Sequence, residues 1–296
     1  MRRFALIIIP YCWLLALFAV PFFIVLKISL SDIAIAMPPY TPNWNPPDGL
    51  ATLRDFFGQL DFENYVWLSG DPLYWKAALS SLKIALISTV LTLLLAFPIA
   101  HGMANAPVEW RPVLLTLVIL PFWTSFLIRV YSWMGILSNT GLLNQFLMWT
   151  GVVAEPLQII NTDIAVYIGI VYTYLPFMIL PIYAALDRLD ISVLEAAQDL
   201  GCTRISAFWL VTAPLAKQGI IAGCLLVFIP ALGEYVIPYL LGGSDTLMMG
   251  KVLMNEFSAN RDWPVASAVA IILLLVLVLP IVLFQRNQQR LREAEA

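Results

Sequence analysis

The chain reads as an all-α, polytopic membrane helix bundle of six transmembrane helices, and three observations predict this. Apolar residues make up 61% of the 296 positions and charged residues 12%, about half the charged share of a soluble domain. Apolar runs of span length recur along the chain, near the ~20 helical residues that cross a ~30 Å hydrocarbon core. Prolines and glycines fall inside those runs, which membrane helices tolerate better than soluble ones. The expected organisation is one transmembrane domain over 1–296, with an extracytoplasmic excursion over 31–75 and a cytoplasmic loop over 188–217.

Span 1 is the run from Phe4 to Leu30 after Arg2 and Arg3. It exceeds the ~7–15 residue core of a signal peptide and has no clear small-residue cleavage site. The excursion that follows holds Pro38, Pro39, Pro42, Pro46 and Pro47, then an amphipathic stretch from Phe56 to Leu68. Span 2 runs from Leu82 to Met103 and is kinked at Pro98. Span 3 runs from Val113 to Leu137 with Pro121 inside. Leu142 to Val153 is too short to cross and reads as re-entrant or interfacial. Span 4, Ile164 to Leu186, is broken by Pro176 and Pro181. Span 5, Gly219 to Leu241, has Pro230, Gly233 and Pro238 in its outer half. Gly242 to Trp263 is an outer loop, and span 6 runs from Val265 to Phe284.

Six spans put both termini on one side. Arg2, Arg3, Arg111, Arg188, Arg204, Lys217 and the arginines of the C-terminal tail share that side. The positive-inside rule makes it the cytoplasm. The opposite face is acidic, with Asp32, Asp61, Glu63, Asp71, Asp245 and Glu256 among its residues. It is either a solvated loop face or a field that attracts cations.

Several chemistries are absent from the sequence. It has no G-x-x-x-x-G-K-[ST] phosphate loop; Gly250-Lys251 has Asp245 where the first glycine belongs. No enzymatic activity is expected, and no cofactor or metal bound by this chain. His101 is the single histidine, which removes most histidine-based schemes; an interfacial place suits it. Cys12, Cys202 and Cys224 lack metal-ligand spacing and read as small buried hydrophobes without a disulfide. There is no ladder of intramembrane arginines and no internal repeat, and nothing points to nucleic acid.

The loop over 188–217 is the longest amphipathic insert. Ser192 and Glu195 have capping-box spacing, which predicts a helix from Val193. Gly201 suits the left-handed position that ends it. Thr203 caps a second helix and Pro214 ends it. Ile205, Phe208, Trp209 and Thr212 share a face at helical spacing. The plainer reading is a capped loop resting on the membrane; the sharper one is a docking element for another protein.

The order Glu195-Ala196-Ala197, three residues, Gly201, nine residues, Val211-Thr-Ala-Pro214 resembles the EAA loop of ABC-importer permeases. The family pattern, EAA-x3-G-x9-I-x-L-P, has isoleucine at Val211 and leucine at Ala213. Pro121 to Gly135, Ala165 to Met178, Ile229 to Pro238 and Asn260 to Ser267 extend the resemblance to the bacterial polyamine permeases. It implies a type I ABC-importer permease fold in the cytoplasmic (inner) membrane. It also implies a second, related permease, an ATPase subunit pair that carries ATP and magnesium, and a periplasmic polyamine-binding protein. Glu195, Ala196, Ala197, Gly201, Ile205, Phe208 and Pro214 would form the ATPase-docking element.

A polyamine pathway needs carboxylates or carbonyls for ammonium groups and aromatic walls for cation–π contact. Glu234, Tyr235 and Tyr239 in span 5, Tyr172 and Tyr174 in span 4, and Trp123 in span 3 are the candidates. Each aromatic is also a candidate belt residue. Glu234 is alternatively a structural partner of Arg129. A permease for another small solute, or an unaided secondary transporter, is the competing class.

Overall fold

The computed structural model describes residues 2–43, 56 and 58–295. Pro46, Pro47, Asp48 and Asp55 of the predicted excursion lie outside the described residues. The chain divides into two compact units, residues 78–248 and residues 1–77 with 249–296.

In the second of these, α1 (Arg2–Leu14) and α2 (Val20–Ser29) are joined by one wide π turn, Leu15–Ala19. Pro21 explains its place: it gives no amide to the Leu17 carbonyl, so the ladder widens there. A short hairpin follows, β1 (Asp32–Ile33) on β2 (Tyr40–Thr41). α3 (Glu63–Gly70) overlaps the stretch read as amphipathic and runs two residues past it, and its Asn64 ties the chain to the carbonyls of Ser29 and Ser31.

α4 (Pro72–Ala104) has 33 residues, ~50 Å at 1.5 Å per residue, and Pro98 does not end it. Span 3 departs from expectation. α5 (Arg111–Ile119) runs through a 3₁₀ turn at Leu120–Trp123, then breaks. α6 (Phe126–Leu137) and α7 (Leu142–Trp149) leave at 88° to it. Pro121 cannot supply the amide a straight helix needs, so the run read as one span is a bent pair.

Span 4 departs the other way. α8 (Asp163–Leu186) is one helix of 24 residues through Pro176 and Pro181. Each proline costs one backbone bond, which neighbouring membrane helices compensate without a break. The span 5 run becomes α12 (Lys217–Leu232) and α13 (Val236–Leu240), parted at Gly233, Glu234 and Tyr235. The outer loop contains a helix, α14 (Met249–Ser258), and α15 (Trp263–Glu295) carries the last apolar run.

Among the described residues, Ile8–Ser29, Pro72–Ala104 and Asp163–Leu186 are long and apolar enough to cross a membrane. Two bent pairs, Arg111–Trp123 with Phe126–Trp149 and Phe208–Leu215 with Lys217–Leu232, pass the same test together. Trp263–Val278 is a shorter apolar helix.

The core of the 78–248 unit sits where α4, α8 and α12 meet. Ala96, Ala100 and Met103 pack against Met178, Ile179, Ile182 and Val227 there. Two glycines bring α12 onto α8. A Cβ on Gly219 would lie 2.5 Å from the Pro181 carbonyl oxygen, and one on Gly223 would lie 2.7 Å from Met178 Sδ. They are four residues apart, the small-x-x-x-small spacing of close membrane helices.

Candidate functional site: the docking loop and the carboxylate at the helix break

The loop after α8 builds α9 (Ile191–Asp199) and α10 (Arg204–Ala207). The cap of α9 is Asp190, whose Oδ1 accepts from the Ser192 amide at 3.0 Å. The helix therefore starts two residues before Val193, and Ser192 does not cap it. A carboxylate competes well for this place because it also faces the positive end of the helix dipole. That amide holds the exposed Asp190 carboxyl below its ordinary pKa.

α9 ends as its glycine predicts. Gly201 has φ +90°, its amide donates to the Gln198 carbonyl and the Cys202 amide to that of Ala197. This is the paired hydrogen bonding that closes a helix end through a left-handed residue. Glu195 and Ala196 are exposed and Ala197 is buried. Thr203 Oγ1 accepts from the Ser206 amide at 3.2 Å, so the second helix is capped as expected.

That helix then widens into a π turn, Phe208–Thr212, and continues through α11 (Ala213–Leu215). Pro214 sits inside α11 and does not end it; the chain bends by 62° after Leu215. The π turn also splits the predicted face. Thr212 is buried and Phe208 half-buried, while Trp209 is 67% exposed. An extra residue per turn rotates Trp209 away from its neighbours. Ile205 lies on α10, with its side chain outside the described residues.

Phe208 is wedged against α4. Its ring is 5.1 Å from that of Phe97 and 5.9 Å from that of His101, edge-on to both. His101 also meets the Asn105 side chain, 3.1 Å from its Nε2. Sequence reasoning gave His101 an interfacial place and missed this joint, because no local spacing links residues so far apart. Arg111 pairs with Asp187 at 2.5 Å. Both are partly exposed, so the pair contributes at most about 1 kcal/mol.

The second assembly surrounds Glu234, buried to 8% exposure in the break of span 5. Gly233 and Tyr235 lie outside the helices, so the amides opening α13 lack carbonyl partners one turn back. Glu234 folds over them. Its Oε1 lies 3.2 Å from the Tyr235 amide, 3.0 Å from that of Val236 and 3.4 Å from that of Ile237. Its Oε2 accepts from the Tyr174 hydroxyl at 2.5 Å. The Glu234–Arg129 ion pair considered above does not form. Arg129 lies over the Phe122 ring, 5.1 Å from its centroid, with Phe126 at 5.9 Å.

The structure thus brings Glu234 and Tyr174 together, with the rings of Tyr235, in the break, and Tyr239, on α13, tilted at 5.6 Å. From Tyr174 the rings continue to Phe177 at 6.1 Å and on to Phe122 at 5.0 Å. Phe122 and Phe177 went unnamed as site residues at the sequence level; Phe177 stands at ordinary helical spacing from Tyr174, and Phe122 lies on another element that no local spacing links to it. Tyr172 does not join this group. Two residues on a helix differ by about 200°, so it turns to Trp133 at 5.3 Å. It lines an apolar groove with Leu91, Leu94 and Leu95. Trp123 is 78% exposed.

Residues 4–293 match the family described as "Binding-protein-dependent transport system inner membrane component". The chain is 44% identical over 231 residues to the spermidine/putrescine transport system permease protein PotB of Escherichia coli (strain K12), covering 78% of this chain and 84% of that one. Its fold is similar to a chain of a bacterial ABC transporter involved in the import of the acidic polysaccharide alginate. The TM-score is 0.69 at 17% identity, over 97% of this chain and 94% of that chain. The same transporter in complex with an alginate pentasaccharide-bound periplasmic protein gives a TM-score of 0.68 at 17% identity, over 97% of this chain and 93% of that chain. The chain belongs to the binding-protein-dependent transport system inner membrane components, as an ABC-importer permease of the polyamine transport family.

Proposed function

We propose that this chain forms half of the translocation pathway of an ATP-driven importer for polyamines, putrescine or spermidine. The observation that carries the reading is Glu234. Its carboxylate is held at a helix break within an apolar span, next to a tyrosine hydroxyl and a run of aromatic rings. A buried carboxylate with aromatic walls suits an ammonium group separated from the next by methylenes. Its likeness to PotB supports the same substrate class. Tyr174, Tyr235 and Tyr239 complete this half; Tyr172, turned to Trp133, and the exposed Trp123 stand apart from it.

The 188–217 loop is the seat of a separate ATPase pair, which holds ATP and magnesium. Exposed Glu195 and Ala196 face outward from a helix that Gly201 ends sharply, and this supports the reading. Both termini are cytoplasmic in this scheme, and a periplasmic binding protein delivers the polyamine from the other side. ATP closes the ATPase pair, the loops move, and the spans open outward. The breaks at Gly233 and after Leu215 are the places where such motion costs least.

Sidedness and assembly test this together. The chain is purified with a candidate ATPase and labelled with a membrane-impermeant thiol reagent. The reading predicts that the ATPase stays bound, that Ser258→Cys is labelled from outside and that Ser206→Cys is not. Labelling of the reverse pattern, or a chain that transports without any ATPase, would favour the unaided-transporter class.

A further inference from the structure

The hairpin over 32–41 is unusual for a segment facing water. Its loop exposes Ile33 at 57%, Met37 at 95% and Ile35 as fully as an isolated residue. The base of the hairpin is level with the last turn of α2, a membrane-crossing helix. Tyr40, paired with Ile33 across the strands, places its ring 4.3 Å from Lys27 Nζ on that turn. The same ring is 6.3 Å from Trp263, which opens α15. Lysine, tyrosine and tryptophan at the ends of apolar helices mark the membrane–water boundary. The exposed isoleucines and methionine thus start at that boundary, at the end of a span whose Phe18, Phe23 and Ile24 are also exposed.

A cavity of about 500 Å³ lies between the hairpin and the 257–263 turn. The stacked rings of Phe257 and Trp263 form one wall. Among the described residues, Arg261 is the one charged residue lining it. A cavity lined mostly by apolar side chains, with Ser258, Asn260 and the cation of Arg261 as its polar residues, fits an acyl chain beside a phosphate.

We propose that this hairpin is a lipid anchor. Ile33, Ile35 and Met37 sit in the outer leaflet, and the cavity behind them takes a phospholipid whose phosphate meets Arg261. A protein partner is the competing occupant; the place of the exposed Ile33, Ile35 and Met37 at the end of a span that is itself exposed and apolar favours lipid. The proposal rests on the orientation given above, with the hairpin on the periplasmic side.

The test uses the complete importer in phospholipid vesicles, with Cys12, Cys202 and Cys224 replaced. A nitroxide is placed at Met37→Cys, at Phe18→Cys as a lipid-facing control and at Asn43→Cys as an aqueous one. Accessibility to oxygen and to an aqueous nickel chelate is read by spin relaxation. Met37→Cys should resemble Phe18→Cys, favouring oxygen, and Arg261→Glu should shift it toward the nickel-accessible value of Asn43→Cys. Nickel accessibility at Met37→Cys equal to that at Asn43→Cys would overturn the anchor. Protection that arises only when the periplasmic binding protein is added would overturn it in favour of a protein seat. A wrong orientation reads differently: externally added chelate then fails to reach Asn43→Cys at all.

Discussion

Tyr174 donates its hydroxyl hydrogen to Glu234 Oε2 at 2.5 Å, joining α8 to the break between α12 and α13. The other carboxylate oxygen is committed to backbone amides. One side chain therefore does two jobs: it closes a broken helix and presents charge beside aromatic rings.

The two jobs separate by substitution. Glu234→Gln keeps an oxygen for the amides and removes the charge, so the complex should assemble while polyamine uptake falls about ten-fold or more, equivalent to about 1.4 kcal/mol. Glu234→Ala removes the oxygens and strands the α13 amides, at about 1–3 kcal/mol each if left unsatisfied, so it should also lower stability. Tyr174→Phe removes one hydrogen bond of about 1 kcal/mol and should cost uptake roughly five-fold. Thermal stability in detergent and initial uptake rates measure both sides.

Gly201 has φ +90° with open space around the position of a Cβ. Its requirement is thus conformational and not steric crowding by neighbours. Gly201→Val should cost about 1–3 kcal/mol locally and abolish substrate-stimulated ATP hydrolysis. Gly201→Asn should retain most of it, because asparagine tolerates the left-handed region. Copurified ATPase and its hydrolysis rate are the readouts.

Gly219 and Gly223 are crowded where Gly201 is not. Gly219→Val forces α12 off the Pro181 carbonyl and should destabilise by about 1–3 kcal/mol or more. The expected result is a lower Tm and poor recovery from the membrane, with the loss seen before any partner is added.

The turn before α15 should respond to pH. Burial, with the Glu256 carboxylate adding to it, raises the pKa of Asp262 despite the Val265 amide that its side chain accepts. A carboxyl whose folded pKa is raised favours folding most when protonated, so its contribution is full below the ordinary value of 3.8 and is lost as pH rises through the raised one. Hydrogen exchange over residues 255–265, corrected for intrinsic rates, should show more protection as pH falls through that window. Asp262→Asn should flatten the dependence.

Much of this was legible from the sequence, for reasons that differ by element. Apolar runs set the membrane helices because hydropathy over ~20 residues is a strong signal. The φ of Gly201 was legible because a glycine after an amphipathic turn has few other uses. Proline was the unreliable sign: Pro176 and Pro181 leave α8 whole, while Pro121 stands at an 88° bend and Pro214 inside a helix. Whether a proline breaks a helix depends on what surrounds the freed carbonyl, and that is tertiary information. The same holds for the site. Glu234 stood out as an ionisable residue in an apolar run, but its partner was not readable, and Arg129 was the wrong candidate. Tyr172 and Tyr174 looked equivalent in composition, although helical geometry alone already put them on different sides.

The most direct measurement is uptake of labelled putrescine and spermidine by vesicles containing this chain, its partner permease, the ATPase pair and the binding protein. Our reading predicts ATP-dependent accumulation of at least one polyamine, lost without the binding protein and sharply reduced in Glu234→Gln with the complex intact. Uptake of neither polyamine by an assembled, ATP-hydrolysing complex, or full uptake in Glu234→Gln, would contradict it.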